Sequence, residues 1–247
     1  MSGVSAVPGE LGRPRLHLRS TDSTNSRAQA LAIAGAPHGT LVTADEQSAG
    51  RGRQGRSWTA PARRALLCSV VIRDPPRLLP LAAGVAVAEV SGETAQLKWP
   101  NDVLVAGRKV AGILVEGRPQ ERWAVVGIGL NVAVRPEDFP LELRERATTL
   151  GLAPSAIEPA LERLLGALAR WLAAGPEQVL AAVRQRDALH GRPVSWAQGT
   201  GIADGIDDQG RLRVITGDGE TALAAGEVHL EPPDGSVPGR GSRAENT

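Results

Sequence analysis

The chain has 247 residues, 42% of them hydrophobic and 22% charged, which is enough apolar material for one or two packed domains and excludes wholesale disorder. Its 28 Lys+Arg and 27 Asp+Glu leave a net charge of +1, a balance that predicts neither a histone-like grip on DNA nor a polybasic membrane anchor. Cys68 is the single cysteine, no apolar run approaches the roughly 18 residues of a membrane span, and residues 1–14 lack the basic start and apolar stretch of a signal peptide, so a soluble cytoplasmic protein is expected.

After a Pro/Gly-rich lead at 1–14, residues 15–19 read as a short strand, and Asp22-Ser-Thr-Asn25 offers helix caps for the alanine-rich stretch 26–34, which Gly35 and Pro37 end. Residues 40–44 are β-branched and apolar, hence a strand. Residues 47–64 show no apolar periodicity, an unusual length for an unstructured connection inside a compact domain and therefore a sign of function. A continuous apolar run at 65–72 reads as a strand and the alanine-rich 78–90 as a helix. Strands at 103–105 and 109–115 flank Ala106-Gly107-Arg108, a hairpin signal, and a strand at 123–128 runs into Gly129-Leu-Asn131.

The second half changes character. Leu161, Leu164, Leu165, Leu168, Trp171 and Leu172 recur at helical spacing, and 177–189 continues with a second helical pattern. From Gly191 short strands with turn signals follow at 193–196, 201–206, 211–215, 220–224 and 227–230, which suggests a small β-barrel. Residues 232–247 read as a disordered tail. The fold class expected is α+β, with a mixed-sheet domain at 15–190 and a β domain at 191–231.

Chemistry concentrates in a few segments. Only two of the 28 basic residues are lysines, Lys98 and Lys109, and where arginine has replaced lysine almost everywhere, the survivors are candidates for work a guanidinium cannot do. The long connection carries Gly50-Arg-Gly-Arg-Gln-Gly-Arg56, then Ser57 and Trp58. Its glycines let backbone approach a ligand, and its arginines suit phosphate or carboxylate. It is neither a P-loop nor a Rossmann fingerprint. Arg-Gly repeats also bind RNA, but this one is single and lies between two core strands. Lys98-Trp-Pro-Asn-Asp102 places an ammonium, an amide and a carboxylate within five residues, costly to bury unless they face one another or a ligand; an ordinary Asn-Asp turn is the alternative. Lys109 opens an apolar strand and reads otherwise as a solvated edge charge. Gly127-Ile-Gly-Leu-Asn131 reads otherwise as a plain β-bulge.

Taken together, Ser23-Thr-Asn25, Gln47, Gly50-Arg-Gly-Arg53 with Gly55-Arg56, Lys98-Trp-Pro-Asn-Asp102, Lys109 with Gly112-Ile-Leu114, and Gly127-Ile-Gly-Leu-Asn131 occur in the order and at the approximate spacing of biotin protein ligases. The resemblance covers roughly 21–230. It implies the catalytic fold shared by biotin and lipoate ligases followed by a small SH3-like barrel. With about twenty residues before Thr21, the chain resembles the ligase-only class, which lacks a helix-turn-helix repressor domain and is not expected to bind an operator. The segment between Arg73 and Leu97 looks short for the family.

The resemblance implies a two-step reaction, in which biotin and ATP give biotinyl-5′-AMP and a lysine of a biotin carboxyl carrier protein domain displaces AMP. Lys109, Arg53, Asp102 and Lys98 would then be catalytic. Biotin would contact Ser23, Thr24, Asn25, Gln47, Arg51, Gly52, Arg53 and Lys109, and ATP would contact Arg51, Arg53, Arg56, Trp58, Lys98, Asn101 and Asn131, the last reading adenine. Asp102 would hold Mg²⁺ or orient the incoming amine. Trp58 and Trp99 would be walls. No membrane or nucleic-acid partner is expected, and the assembly would be a monomer or homodimer. A lipoate or octanoate enzyme of the same fold is the nearest competing reading, and an RNA-binding protein using the Arg-Gly loop the next.

Overall fold

The computed structural model describes residues 11–224 and 226–230. Seven strands make the first sheet: β1 (Arg15–Thr21), β2 (Leu41–Gln47), β3 (Ala65–Arg73), β4 (Gln96–Lys98), β5 (Asp102–Val105), β6 (Arg108–Arg118) and β7 (Trp123–Asn131). They lie side by side in the order β1-β2-β3-β7-β6-β5-β4. β1 pairs with β2 in parallel and every other ladder is antiparallel, so the sheet is mixed, as expected. Helix α1 (Thr24–Ile33) covers one face, while α2 (Leu79–Ser91), α3 (Ile157–Ala173) and α4 (Pro176–Gln185) lie on the other side.

Strand parity explains this layering. Along β3, Leu66, Cys68, Val70 and Ile72 enter the main core under α2 and α3, each fully buried aliphatic side chain contributing about 1.5–3 kcal/mol. Between them, Val71 packs under α1 with Ala28, Ala32, Val42, Trp123 and Val125. β7 follows the same rule, sending Ala124, Val126, Ile128 and Leu130 into the main core. Burial pushes the Cys68 thiol up to about 12, which leaves it an inert piece of core.

Several boundaries differ from the sequence expectation, each for a local reason. α1 starts at Thr24, because Ser23 takes the extended N-cap backbone without any side-chain cap bond. Its end is as read: Gly35, at φ +87, lets Ala36 N–H reach back to the Leu31 carbonyl. β4, unanticipated, has only three residues and exists because β5 pairs with it and the segment after α4 runs beside Leu97. β7 continues to Asn131 through Gly127 and Gly129, since β3 and β6 hold it from both sides in unbroken register. These glycines are therefore not a bulge. At the predicted hairpin, Ala106 and Gly107 both adopt positive φ, the geometry of a two-residue turn matched to strand twist.

The second sheet is antiparallel and contains β8 (Pro193–Trp196), β9 (Gly199–Ile206), β10 (Leu212–Thr216), β11 (Gly219–Leu223) and β12 (His229–Leu230), in the order β11-β10-β9-β8-β12. A small β domain was expected here; a ladder joining β11 to β12, which would close it as a barrel, is absent among the described residues. It docks on the first unit through Trp99, whose indole N–H donates to the Gly210 carbonyl at 3.1 Å, and through Arg184, which donates to the Ile206 carbonyl at 2.8 Å. Leu11, in the segment read as a lead, packs on the main core, and Gly12 N–H donates to the Gly39 carbonyl. The expected tail at 232–247 lies outside the described residues.

Candidate active site

A cavity opens on the α1 face of the first sheet, where the strands have lost their side chains. On this face β7 presents Gly127 and Gly129, and β6 presents Gly112 directly opposite Gly129. The Trp58 indole lies on this bare floor: a Cβ on Gly129 would come within 2.4 Å of it and one on Gly112 within 3.1 Å. The indole N–H is buried with no hydrogen-bond partner among the described residues, a donor left for a ligand.

The β5–β6 register shifts between Val103 and Leu104, leaving Val110 as an extra residue. In an unbroken strand Lys109 and Gly112 would face opposite sides. The bulge turns Lys109 to the glycine side, where its Nζ stands 2.7 Å from Asp102 Oδ1 and 5.7 Å from the Trp58 ring centroid. Lys109 is thus an inward group and not a solvated edge charge. Lys98, mostly buried beside it, has its pKa pulled down by burial, with Asp102 acting in the opposite sense.

The other end of the cavity is uncharged and hydrogen-bonded. Thr24 N–H and hydroxyl both donate to Gln47 Oε1, at 2.8 and 3.0 Å. The Ser69 hydroxyl lies 2.8 Å from Thr24 Oγ1 and 2.7 Å from Asn25 Oδ1. Asn25 Nδ2 donates to Glu116 Oε2 at 2.8 Å. Ser23, free of any capping duty, lines the same wall.

Between these ends the glycine-arginine loop folds over. It is tied within itself by Trp58 N–H to the Gly50 carbonyl at 2.8 Å and by Gly52 N–H to the Arg56 carbonyl at 2.6 Å. A Cβ on Gly50 would lie 2.3 Å from the Trp58 carbonyl, so this closure requires glycine. Each arginine reaches a different element. Arg51 pairs with Glu116 of β6 at 2.9 Å, Arg53 donates to Asn101 Oδ1 at 3.2 Å, and Arg56 pairs with Glu227, just before β12. Arg53 alone of the three is bonded to a neutral group, which leaves its charge for a ligand. Arg51, Arg53, Arg56, Lys98 and Lys109 line the cavity with two carboxylates, Asp102 and Glu227, so it favours anions.

Of the residues singled out by sequence, Ser23, Thr24, Asn25, Gln47, Arg51, Gly52, Arg53, Arg56, Trp58, Lys98, Asn101, Asp102 and Lys109 meet at this cavity. Asn131 does not line it. Its side chain donates to the Thr148 carbonyl at 3.0 Å and its own carbonyl receives Leu150 N–H, so it fastens the 148–150 segment to the end of β7. Trp99 lines the cavity edge, but its indole serves the docking of the second sheet. Sequence reasoning missed Ser69, Glu116 and Glu227. Ser69 carried a signal, as the one polar residue in the apolar run at 65–72. Glu227 carried none, because 171 residues separate it from Arg56.

The Arg56–Glu227 pair makes the second sheet a support for the loop. Glu227→Gln should speed amide exchange of residues 50–58 by about five-fold, the size of a partly exposed ion pair, and leave the β3–β7 ladder protected. Unchanged exchange in the loop would show that the pair does not hold it.

The Biotin/lipoate A/B protein ligase family profile matches residues 17–132, and the Biotin protein ligase C terminal domain profile matches 190–230. The chain is 39% identical over 234 residues to biotin--[acetyl-CoA-carboxylase] ligase of Mycobacterium tuberculosis, covering 85% of this chain and 86% of that protein. It is 40% identical over 155 residues to the bifunctional ligase/repressor BirA of Bacillus subtilis, where the match spans 58% of this chain and about half of that protein, 48%. In structure it is similar to the biotin protein ligase of Aquifex aeolicus in complex with biotin and ATP, at a TM-score of 0.74 and 29% identity, over 89% of this chain and 99% of that one.

Proposed function

Since the chain belongs to the biotin protein ligase family, we propose that it is an ATP-dependent biotin–[biotin carboxyl carrier protein] ligase whose active site is the cavity on the glycine floor. The observation that carries this assignment is the polarity of the cavity. An uncharged hydrogen-bonding end suits the biotin ring, and a cationic end centred on Lys109 suits a carboxylate meeting a triphosphate.

The chemistry needs that arrangement. A biotin carboxylate oxygen attacks the α-phosphorus of ATP, and the bond to pyrophosphate breaks. Two anions must approach before this happens, so fixed positive charge at their meeting point supplies much of the rate. Lys109 sits there as a compact ammonium steadied by Asp102. In the second step the ε-amine of a carrier-domain lysine attacks the acyl carbon, AMP leaves with the C–O bonding pair, and the new amide nitrogen gives up a proton.

Asp102 orients that amine in our reading. It is also the carboxylate that fits Mg²⁺ arriving with ATP, an ion commonly held by one or two carboxylates and phosphate oxygens. When bound, the ion would neutralise phosphate charge. Thr24, Asn25, Gln47 and Ser23 hold the biotin ring, Trp58 with its unpaired N–H walls the nucleotide, and the loop excludes water that would hydrolyse the adenylate.

The partner is a biotin carboxyl carrier domain of the acetyl-CoA carboxylase kind. Among the described residues no helix is long and apolar enough to cross a membrane; our reading is a cytoplasmic ligase without membrane or nucleic-acid partners, acting as monomer or homodimer. Incubation with biotin, MgATP and a carrier domain should add one biotin to the carrier lysine by intact mass. Stabilisation by lipoate in place of biotin, with no mass gain from biotin, would overturn the assignment. Arg53→Gly removes the loop's tie to Asn101 and its free charge, and should raise escape of biotinyl-5′-AMP about ten-fold, read as biotin on stray amines; wild-type retention would show that Arg53 is no part of the lid.

A further inference from the structure

Glu116 stands at the junction of the two halves of the cavity without lining it. It lies on β6 two residues beyond Leu114 and on the same face as Gly112. A single oxygen, Oε2, accepts from three donors on two separate pieces of structure: Asn25 Nδ2 at 2.8 Å and Gln29 Nε2 at 2.9 Å, both on α1, and Arg51 of the loop at 2.9 Å. We propose, resting on the biotin-ligase reading above, that Glu116 is a positioning residue that ties the biotin end of the cavity to the glycine-arginine loop.

Asn25 is the inner arm of this junction. It is buried, its Oδ1 faces the Ser69 hydroxyl, and its Nδ2 has Glu116 and, at 3.3 Å, the Leu114 carbonyl. An amide can turn over and exchange its oxygen and nitrogen, and the Glu116 carboxylate, together with the more distant Leu114 carbonyl, fixes which way it points because both only accept. Arg51 is the outer arm. It belongs to the loop and its side chain is 40% exposed, so Glu116 is what anchors it to the sheet. When the loop lifts, Glu116 loses its cation and keeps two neutral donors. Loop closure and the ordered Asn25 amide therefore favour each other, and by reciprocity a ligand that fixes Asn25 closes the loop.

The test is a double-mutant cycle on the full chain. Wild type, Glu116→Gln, Arg51→Gln and the double variant are loaded with biotin and MgATP, and escape of biotinyl-5′-AMP after dilution is timed. Each single substitution should speed escape about five-fold, the range of a partly exposed ion pair. If the two residues act as one unit, Glu116→Gln in the Arg51→Gln background adds less than two-fold. Glu116→Gln should also raise the Kd for biotin alone by about two- to five-fold, since the Asn25 amide is then oriented only by the longer bond to the Leu114 carbonyl, whereas Arg51→Gln should move that Kd less. A merely structural role would lower melting temperature without this split.

Multiplying effects, about 25-fold in the double variant, would overturn the coupling, as would Arg51→Gln leaving escape unchanged. That second variant is confined to an exposed loop and tests the junction even if Glu116→Gln fails to fold. A wild type that forms no biotinyl-5′-AMP overturns the ligase assignment and this role with it, whereas an active wild type with unaltered variants overturns the role of Glu116 alone.

Discussion

Lys109→Arg should fold normally and form adenylate at least about 100-fold more slowly than wild type. The substitution keeps the charge, so the loss must come from its shape and placement. Lys109 reaches the cavity because the Val110 bulge turns it to the glycine face, and there its Nζ has Asp102 at 2.7 Å and the Trp58 ring at 5.7 Å. Gly112 leaves only just enough room, since a Cβ at that position would sit 3.3 Å from Nζ. A guanidinium is planar, broader, and forks onto a carboxylate with two parallel hydrogen bonds. Arginine would therefore lock onto Asp102 and hold its charge away from the point where carboxylate and α-phosphate meet. Losing one donor aimed at developing charge costs about 2.7–4 kcal/mol in barrier height, or 100- to 1000-fold. Pyrophosphate release during the first turnover measures it directly. A wild-type rate with a wild-type melting temperature would remove Lys109 from the centre of the reaction.

Most of this site was legible because its residues lie in short, distinctive segments. The rare lysines marked themselves by composition, and the glycine-arginine loop by lacking any period between two apolar strands. The pairing of Lys109 with Asp102 could not be read, because it depends on a bulge, and a bulge is one extra residue in an otherwise ordinary ladder. Gly127 and Gly129 look like strand breakers in isolation; they are strand residues because β3 and β6 hold them from both sides, an override of local propensity by neighbours distant in sequence. Glu227 and Glu116 were invisible for the same reason. Each acts by accepting an arginine from another part of the chain, and nothing in the local sequence of a glutamate says which arginine will meet it. Asn131 shows the same limit from the other side: its side chain donates to the Thr148 carbonyl, a partner that nothing in the Gly127–Asn131 segment announces.

Gly127→Ala should abolish most biotin binding and destabilise the fold, in contrast to the same change expected at Gly166. The added methyl would stand 2.1 Å from Asn25 Oδ1 and 2.7 Å from its Cγ, far inside van der Waals contact. Asn25 has little freedom to withdraw, since it is 3% exposed and held by Ser69, Glu116 and the Leu114 carbonyl. Moving it breaks at least one buried hydrogen bond, at about 1–3 kcal/mol, and overpacking of a filled site costs a similar amount. The expected results are a fall in melting temperature of several degrees and a biotin Kd raised at least about 30-fold by calorimetry. Gly166 supplies the internal control. It sits exposed within α3 with nothing within 4 Å of where a Cβ would stand, so Gly166→Ala should gain roughly 0.5–1 kcal/mol of stability from helix propensity and leave biotin binding alone. If Gly127→Ala instead behaves like Gly166→Ala in both measurements, then the Asn25 end of the cavity is not where the biotin ring lies.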